Sequence, residues 1–172
     1  SSVALREPAP EGEALATILR AALRVPDFQR LRPYEFLLAA GEGLDRLGEL
    51  LEMAARRSGQ PEAVVKRARR MPHRAPLVIT VAARHRPSSI VKPLEQQLTA
   101  GCAVMAMQMA AVAQGFGGIW RSGWPMFDRS LHESLNLGPQ DQIVGFLYLG
   151  TPPNPPTTAQ AEVAPMVIKP PQ

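Results

Sequence analysis

Cysteine, histidine and aromatic residues are scarce in this chain, and each shortage closes off a class of function. One cysteine among 172 residues, Cys102, cannot form an intrachain disulfide, which removes disulfide-framed scaffolds and favours a reducing compartment. His73, His85 and His132 stand far apart, without the short spacing of a helical metal pair, so structural or surface roles are expected of them rather than metal binding. Aromatic residues make up 5% of the chain and no nucleic-acid reader motif is present, which argues against nucleic acid as a partner despite a net charge of +4. No purely apolar run approaches the roughly 20 residues a membrane span needs. Ser1–Pro10 has no basic flank followed by an apolar core, and the chain is expected in the cytoplasm. A Ser/His/Asp set, zinc spacing and a P-loop are missing too. Glycines 115, 117 and 118 follow a helix and precede a strand, the reverse of the order in a dinucleotide fingerprint.

What the chain does have is apolar content. At 45% hydrophobic residues it can bury one core, so a single domain over residues 1–152 is expected, followed by an arm over residues 153–172. The basic balance, with a pI near 9.8, suits an anionic ligand. Arg56, Arg57, Lys66, Arg67, Arg69 and Arg70 are the one basic cluster, and a solvated helix face is their simplest explanation.

The pattern is organised around Leu98–Gly123. Leu98, Cys102, Met105, Met109 and Val112 form a stripe at helical spacing, while alanines, Val104 and Met107 fill the remaining faces. A helix apolar on every side is expected to be a buried core helix, with Cys102 inside it and the methionines packing the core. Gly115 ends it in a left-handed cap, and Ile119–Trp120 begins a strand stub that runs into Arg121, Ser122 and Gly123.

Around this helix, Glu11–Arg24 predicts an amphipathic helix stopped by Pro26, and Tyr34–Ala40 a strand. A turn at Gly41–Gly43 leads to a helix from Leu44 to about Arg57, then a charged helical piece over Pro61–Arg70. Pro76–Ala83 and Ile143–Leu149 are continuous apolar runs typical of strands buried on both faces. Pro93 falls in the first turn of the long helix, and Phe127–Leu135 predicts a short helix capped by Asp128. Four strands alternating with helices give a central sheet covered by helices. From Thr151 the chain turns proline-rich, leaving Val163, Met166, Val167 and Ile168 in need of a surface; embrace of a partner subunit is the leading explanation and a disordered tail the alternative.

The run AGCAVMAMQMAAVAQGFGGIWRSG (residues 100–123) resembles the small bacterial flavoproteins of the nitroreductase family. Agreement continues in Glu7–Asp27, His73–Ala83 and Gln140–Pro152. The resemblance implies an α+β nitroreductase-like fold, with a mostly antiparallel central sheet flanked by helices and a domain-swapped C-terminal arm. It implies FMN as cofactor, NADH or NADPH as reductant, and a homodimer with the flavin at the interface. Because the isoalloxazine carries the redox chemistry, no catalytic side chain is required. By the same resemblance, the FMN contacts are Ser1, Arg24, Phe28, Trp120, Arg121 and Ser122, with a backbone amide near Ser122 and Gly123 facing the ring. Ser1 matches the serine of an Arg-Arg-Ser phosphate segment whose arginines precede this sequence. Arg24 has a second explanation, as a cation at a helix C-terminus. The nicotinamide nucleotide is assigned to Ala110, Ala111, Val112, Ala113, Gln114 and Gly115, residues that also fit the core helix.

These expectations combine into an FMN-dependent NAD(P)H oxidoreductase that reduces a nitroaromatic, a quinone or a similar planar acceptor by alternating hydride transfer. Phe28, Arg32 and Tyr34 depart from residues usual in the family, and they leave open a flavin carrier or sensor without general reductase turnover.

Overall fold

Two central strands, one buried throughout and the other along most of its length, hold the molecule together. The computed structural model describes residues 4–154. In chain order these are α1 (Gly12–Ala21), β1 (Glu35–Ala40), α2 (Glu42–Arg57), α3 (Glu62–Ala68), β2 (Leu77–Ala83), α4 (Pro93–Ala113), β3 (Gly117–Arg121), α5 (Arg129–Ser134) and β4 (Gln142–Gly150). The strands form one sheet in the order β1-β2-β4-β3, and every pairing is antiparallel. β2 is buried along its whole length, as its run of Val, Ile and Thr without polar alternation predicts. Val78 and Ala82 face α2, α3 and α5, where they meet Leu47, Leu51, Val65 and Leu131; Leu77, Ile79 and Val81 face α1 and α4, where they meet Ile18, Val104 and Met107. The result is a helix–sheet–helix sandwich with a core on each side of the sheet. Ser1 and the arm from Pro155 onward lie outside the described residues.

Local chemistry fixes the element ends. Gly41 takes φ +52°, and α2 begins at Glu42, so the turn is shorter than the expected Gly41–Gly43. Pro93 opens α4, and the Glu95 carboxylate accepts from the Lys92 amide at 2.7 Å in the first turn. Gly115, at φ +86°, terminates α4 as expected. The Asp128 carboxylate accepts from the Leu131 amide at 2.9 Å and caps α5. The basic cluster is a solvated face: Arg69 bridges Glu49 and Glu52, and Arg56 reaches Glu52 and Glu62.

The long helix departs from expectation. Ala100, Ala103, Val104, Met107 and Ala111 press onto the sheet, but the stripe of Leu98, Cys102, Met105, Met109 and Val112 faces outward, with Leu98 60% and Met109 57% exposed. Cys102 is exposed rather than buried, and only Met107 of the three methionines packs the core. The physical reason is coverage. A sheet laid against a cylinder about 10 Å wide touches one side of it, and nothing among the described residues covers the other.

α2 and α3 approach so closely at Gly48 that a Cβ there would lie 2.3 Å from the Arg69 carbonyl oxygen. Gly to Ala inside a helix ordinarily stabilises by about 1 kcal/mol. Here the clash is with backbone and cannot be relieved by a rotamer, so Gly48→Ala should lower the urea-unfolding free energy by about 1–3 kcal/mol, the scale of an overpacked core.

Candidate functional site

The outward stripe of α4 forms one wall of a cleft. β3, the turn at Trp124–Met126 and the start of β4 form the other, enclosing about 540 Å³. Leu98, Cys102 and Met105 face Trp120, Phe127 and Ile143 across it. Among the described residues, its polar side chains besides Cys102 and the indole N–H are the amides of Gln97 and Gln142, and none that line it is charged. Such a cleft favours a flat, largely apolar group held by few directed hydrogen bonds.

Trp120 forms the floor. Its indole N–H donates to the Val144 carbonyl oxygen at 3.2 Å, and its ring lies against Gly101 of α4 and Gly145 of β4. The wall at Ile143 is held from behind by His132, which is fully buried. Its Nδ1 lies 2.7 Å from the Asp128 carbonyl oxygen, and its Nε2 accepts from the Ile143 amide at 3.1 Å. This pairing requires the neutral ring with its proton on Nδ1, and burial pushes the His132 pKa down from its ordinary value of 6.5.

Arg121 follows Trp120 but faces the other way, because successive strand residues alternate across a sheet. Its guanidinium carbon sits 5.6 Å from the Tyr148 ring centroid, on the α2 side. Arg121 Nε is buried with no hydrogen-bond partner, and Arg121 pairs with no carboxylate among the described residues. Burial raises the Tyr148 pKa, and the charges of Arg74 and Arg121 pull it back down, so positive potential gathers around that ring.

The other expected contacts are more dispersed. Ser122 and Gly123 are exposed just past β3, and Gly123 adopts φ +120°. Arg24 is exposed at the end of a short 3₁₀ continuation of α1, and Phe28 is 67% exposed in the loop that follows. That loop holds Gln29, Arg30 and Arg32 at positive φ, with the Asp27 carboxylate accepting from the amides of Leu31 and Arg32 at 3.0 and 2.8 Å. Thr99 ties it to α4 by donating to the Pro26 carbonyl oxygen at 3.0 Å, yet neither Arg24 nor Phe28 lines the cleft. Of Ala110–Gly115, Ala111 is buried against the sheet, Ala110 is half-buried, and Val112, Ala113, Gln114 and Gly115 are exposed at the C-terminal end of α4, away from the cleft. Ser1 lies outside the described residues. Sequence reasoning missed the cleft's far wall, Phe127, Gln142, Ile143 and Val144; the apolar stretch around Ile143 signalled a strand but not a lining.

The chain thus combines a four-stranded antiparallel α+β fold with an uncharged cleft beside its edge strand and, on the opposite face of that strand, a buried arginine nitrogen without a partner among the described residues. The description "Nitroreductase family" matches residues 5–151. Two bacterial proteins named "Putative NAD(P)H nitroreductase" are similar over 152 residues, 88% of this chain and 83% of each of theirs: YdjA of Escherichia coli (strain K12), at 51% identity, and one from Haemophilus influenzae, at 38%. Among solved structures, a nitroreductase-like family protein from Bacillus cereus superposes with a TM-score of 0.77 at 22% identity, over 95% of this chain and 86% of that one. A nitroreductase with bound FMN from Bacteroides fragilis gives 0.69 at 19% identity, over 98% and 92% of the two chains. The chain belongs to the nitroreductase family.

The His132 geometry makes stability pH-dependent. Its pKa is lower folded than unfolded, so as pH falls the unfolded chain takes up the proton first. This contribution is therefore intact above the unfolded value and is lost progressively below about pH 6.5. Urea midpoints of wild type should drop between pH 7 and pH 5 more steeply than those of His132→Gln, whose amide keeps a donor and an acceptor without titrating.

Proposed function

We propose that this protein is an FMN-dependent NAD(P)H oxidoreductase acting on nitroaromatics, quinones or similar planar acceptors, and that it works as a cytoplasmic homodimer. The observation that carries this reading is the pair Trp120 and Arg121: consecutive residues on an edge strand present a flat apolar ring on one side and a guanidinium with an orphaned buried nitrogen on the other. An unpaired buried donor is costly, and a ligand anion is the natural partner for a guanidinium. FMN fits this donor set, its planar ring matching the uncharged cleft and its phosphate the arginine side. The E. coli relative's name supplies NAD(P)H as reductant, and the FMN in the B. fragilis structure supports the cofactor.

Bound FMN would supply the redox chemistry, accepting hydride and returning electrons to an acceptor. The protein's share is binding and orientation. Trp120 would support the ring, Arg121 would neutralise the phosphate, and the amides beyond Ser122 would face the ring's polar edge. Arg24, Phe28 and Ser1 would complete the flavin site, and Ala110–Gly115 would meet the nicotinamide nucleotide. The open stripe of α4 supports a second copy as its cover. It continues from the cleft as a row of exposed apolar side chains, which monomeric proteins rarely display. The proline-rich arm over residues 153–172 would then cross to the partner.

The alternative, a flavin carrier or sensor without general turnover, is motivated by the strained, arginine-rich loop around Phe28. Anaerobic NADH or NADPH should bleach the flavin absorbance of FMN-loaded protein, and menadione or nitrofurazone should restore it repeatedly. A single bleaching without sustained turnover would favour the carrier, and failure to take up FMN would exclude both. Arg121→Ala should weaken FMN binding by about 1.5–3 kcal/mol, the range for a hydrogen bond to a charged group, with the fold intact by far-UV circular dichroism. Unchanged affinity would remove Arg121 from the phosphate site.

A further inference from the structure

Three features of the β3–β4 edge converge on the Trp120 ring. The pairing of β2 with β4 slips at one point: Val81 faces Gly145, but Ala82 faces Ile143, so Val144 is the extra residue of a β-bulge. The Val144 carbonyl oxygen accepts the Trp120 indole N–H at 3.2 Å. The next residue is Gly145, where a Cβ would lie 1.9 Å from Trp120 Nε1 and 2.5 Å from Cδ1. At Gly101, on the α4 side, a Cβ would stand 3.5 Å from the far end of the same ring, an ordinary contact. The indole is thus laid over Gly145, while 41% of the residue stays exposed toward the cleft.

We propose that Gly145 is a positioning residue for the ligand site: together with the Val144 bulge, it lets the Trp120 ring lie flat on the sheet and so keeps the cleft deep enough for a planar ligand. Any side chain at position 145 drives the ring off β4 and into the cleft, because β4 is a central strand whose backbone is locked by β2 on one side and β3 on the other. Lifting the ring also breaks its hydrogen bond to Val144. Glycine at 145 has a spatial cause rather than a conformational one, since its φ is not among the positive values in the chain. The ligand in question is the flavin of the reading above, on which this part of the inference rests; the coupling between positions 145 and 120 does not depend on it.

The test is a double-mutant cycle on the full chain with Gly145→Ala, Trp120→Leu and the double variant, read by FMN titration, near-UV circular dichroism and thermal midpoint. Gly145→Ala alone should weaken FMN affinity on the order of tenfold. It should also alter the tryptophan region of the near-UV spectrum and lower the melting temperature. In the Trp120→Leu background, the same alanine should have little effect on affinity or midpoint, because the group it displaces is gone. An equal cost of alanine in both backgrounds, or unchanged affinity and spectrum in Gly145→Ala, overturns the proposal. If Gly145→Ala does not fold, a folded double variant supports the proposal and an unfolded one overturns it. If wild type takes up no FMN, the flavin reading falls, and the midpoint and spectral cycle still decides whether Gly145 positions Trp120.

Discussion

The structure depends on one constraint of coverage: a four-stranded sheet can shield only one side of a helix that is apolar on all sides. α4 satisfies its inner face with alanines, which bring its backbone close to β2 and β4, and with Val104 and Met107. Its outer face keeps Leu94, Leu98, Met105, Met109 and Val112 in solvent. Full burial of such a side chain is worth roughly 1.5–3 kcal/mol, and these, 41–64% exposed, forgo part of it. The cleft exists because this uncovered stripe runs past the end of β3, where Trp120 and the turn to Phe127 rise beside it. Cleft and uncovered surface are one continuous feature, and whatever covers the helix must also border the cleft.

Strand alternation imposes the second division. β3 lies at the edge of the sheet and is five residues long, so its last turns of pleat separate Trp120 from Arg121 by the thickness of the sheet. A ligand that touches both must pass over the strand's end, with its apolar part on the α4 side and its anionic part on the α2 side.

The sheet and most helix boundaries were legible in the sequence because they rest on local signals. The uninterrupted run Leu77–Ala83 specified a strand buried on both faces, Pro93 and Asp128 marked helix starts, and Gly115 marked an end. The site was legible only as a neighbourhood. Composition told that α4 was apolar all round, but it could not tell that one chain lacks the layers to bury it, so Cys102, Met105 and Met109 were misplaced. The directions of Trp120 and Arg121 follow from alternation only once the sheet's two sides are known. Gly145 left no signal at all, since its role comes from a bulge in β4 and a ring from β3 that meets it across the sheet.

Polar accounting distinguishes the parts of the molecule that are complete from the part that is not. Gln96, buried on α4, accepts from the Arg86 amide and donates to the Arg86 carbonyl oxygen, both at 2.8 Å, which fastens the loop before the helix. Asp141 accepts from the amides of His85 and Gly138 and pairs with Arg84 at 2.9 Å, closing the loop before β4. His132 spends both ring nitrogens on backbone groups. These groups show that the fold matches its buried donors and acceptors closely, since unpaired ones cost more than paired ones gain. Against that standard, the bare Nε of Arg121 is a departure, and it falls at the last residue of β3, on the face of the sheet opposite the cleft. Among the described residues it is one side-chain atom of a half-buried residue that stands unmatched, so the incompleteness is confined to the end of β3.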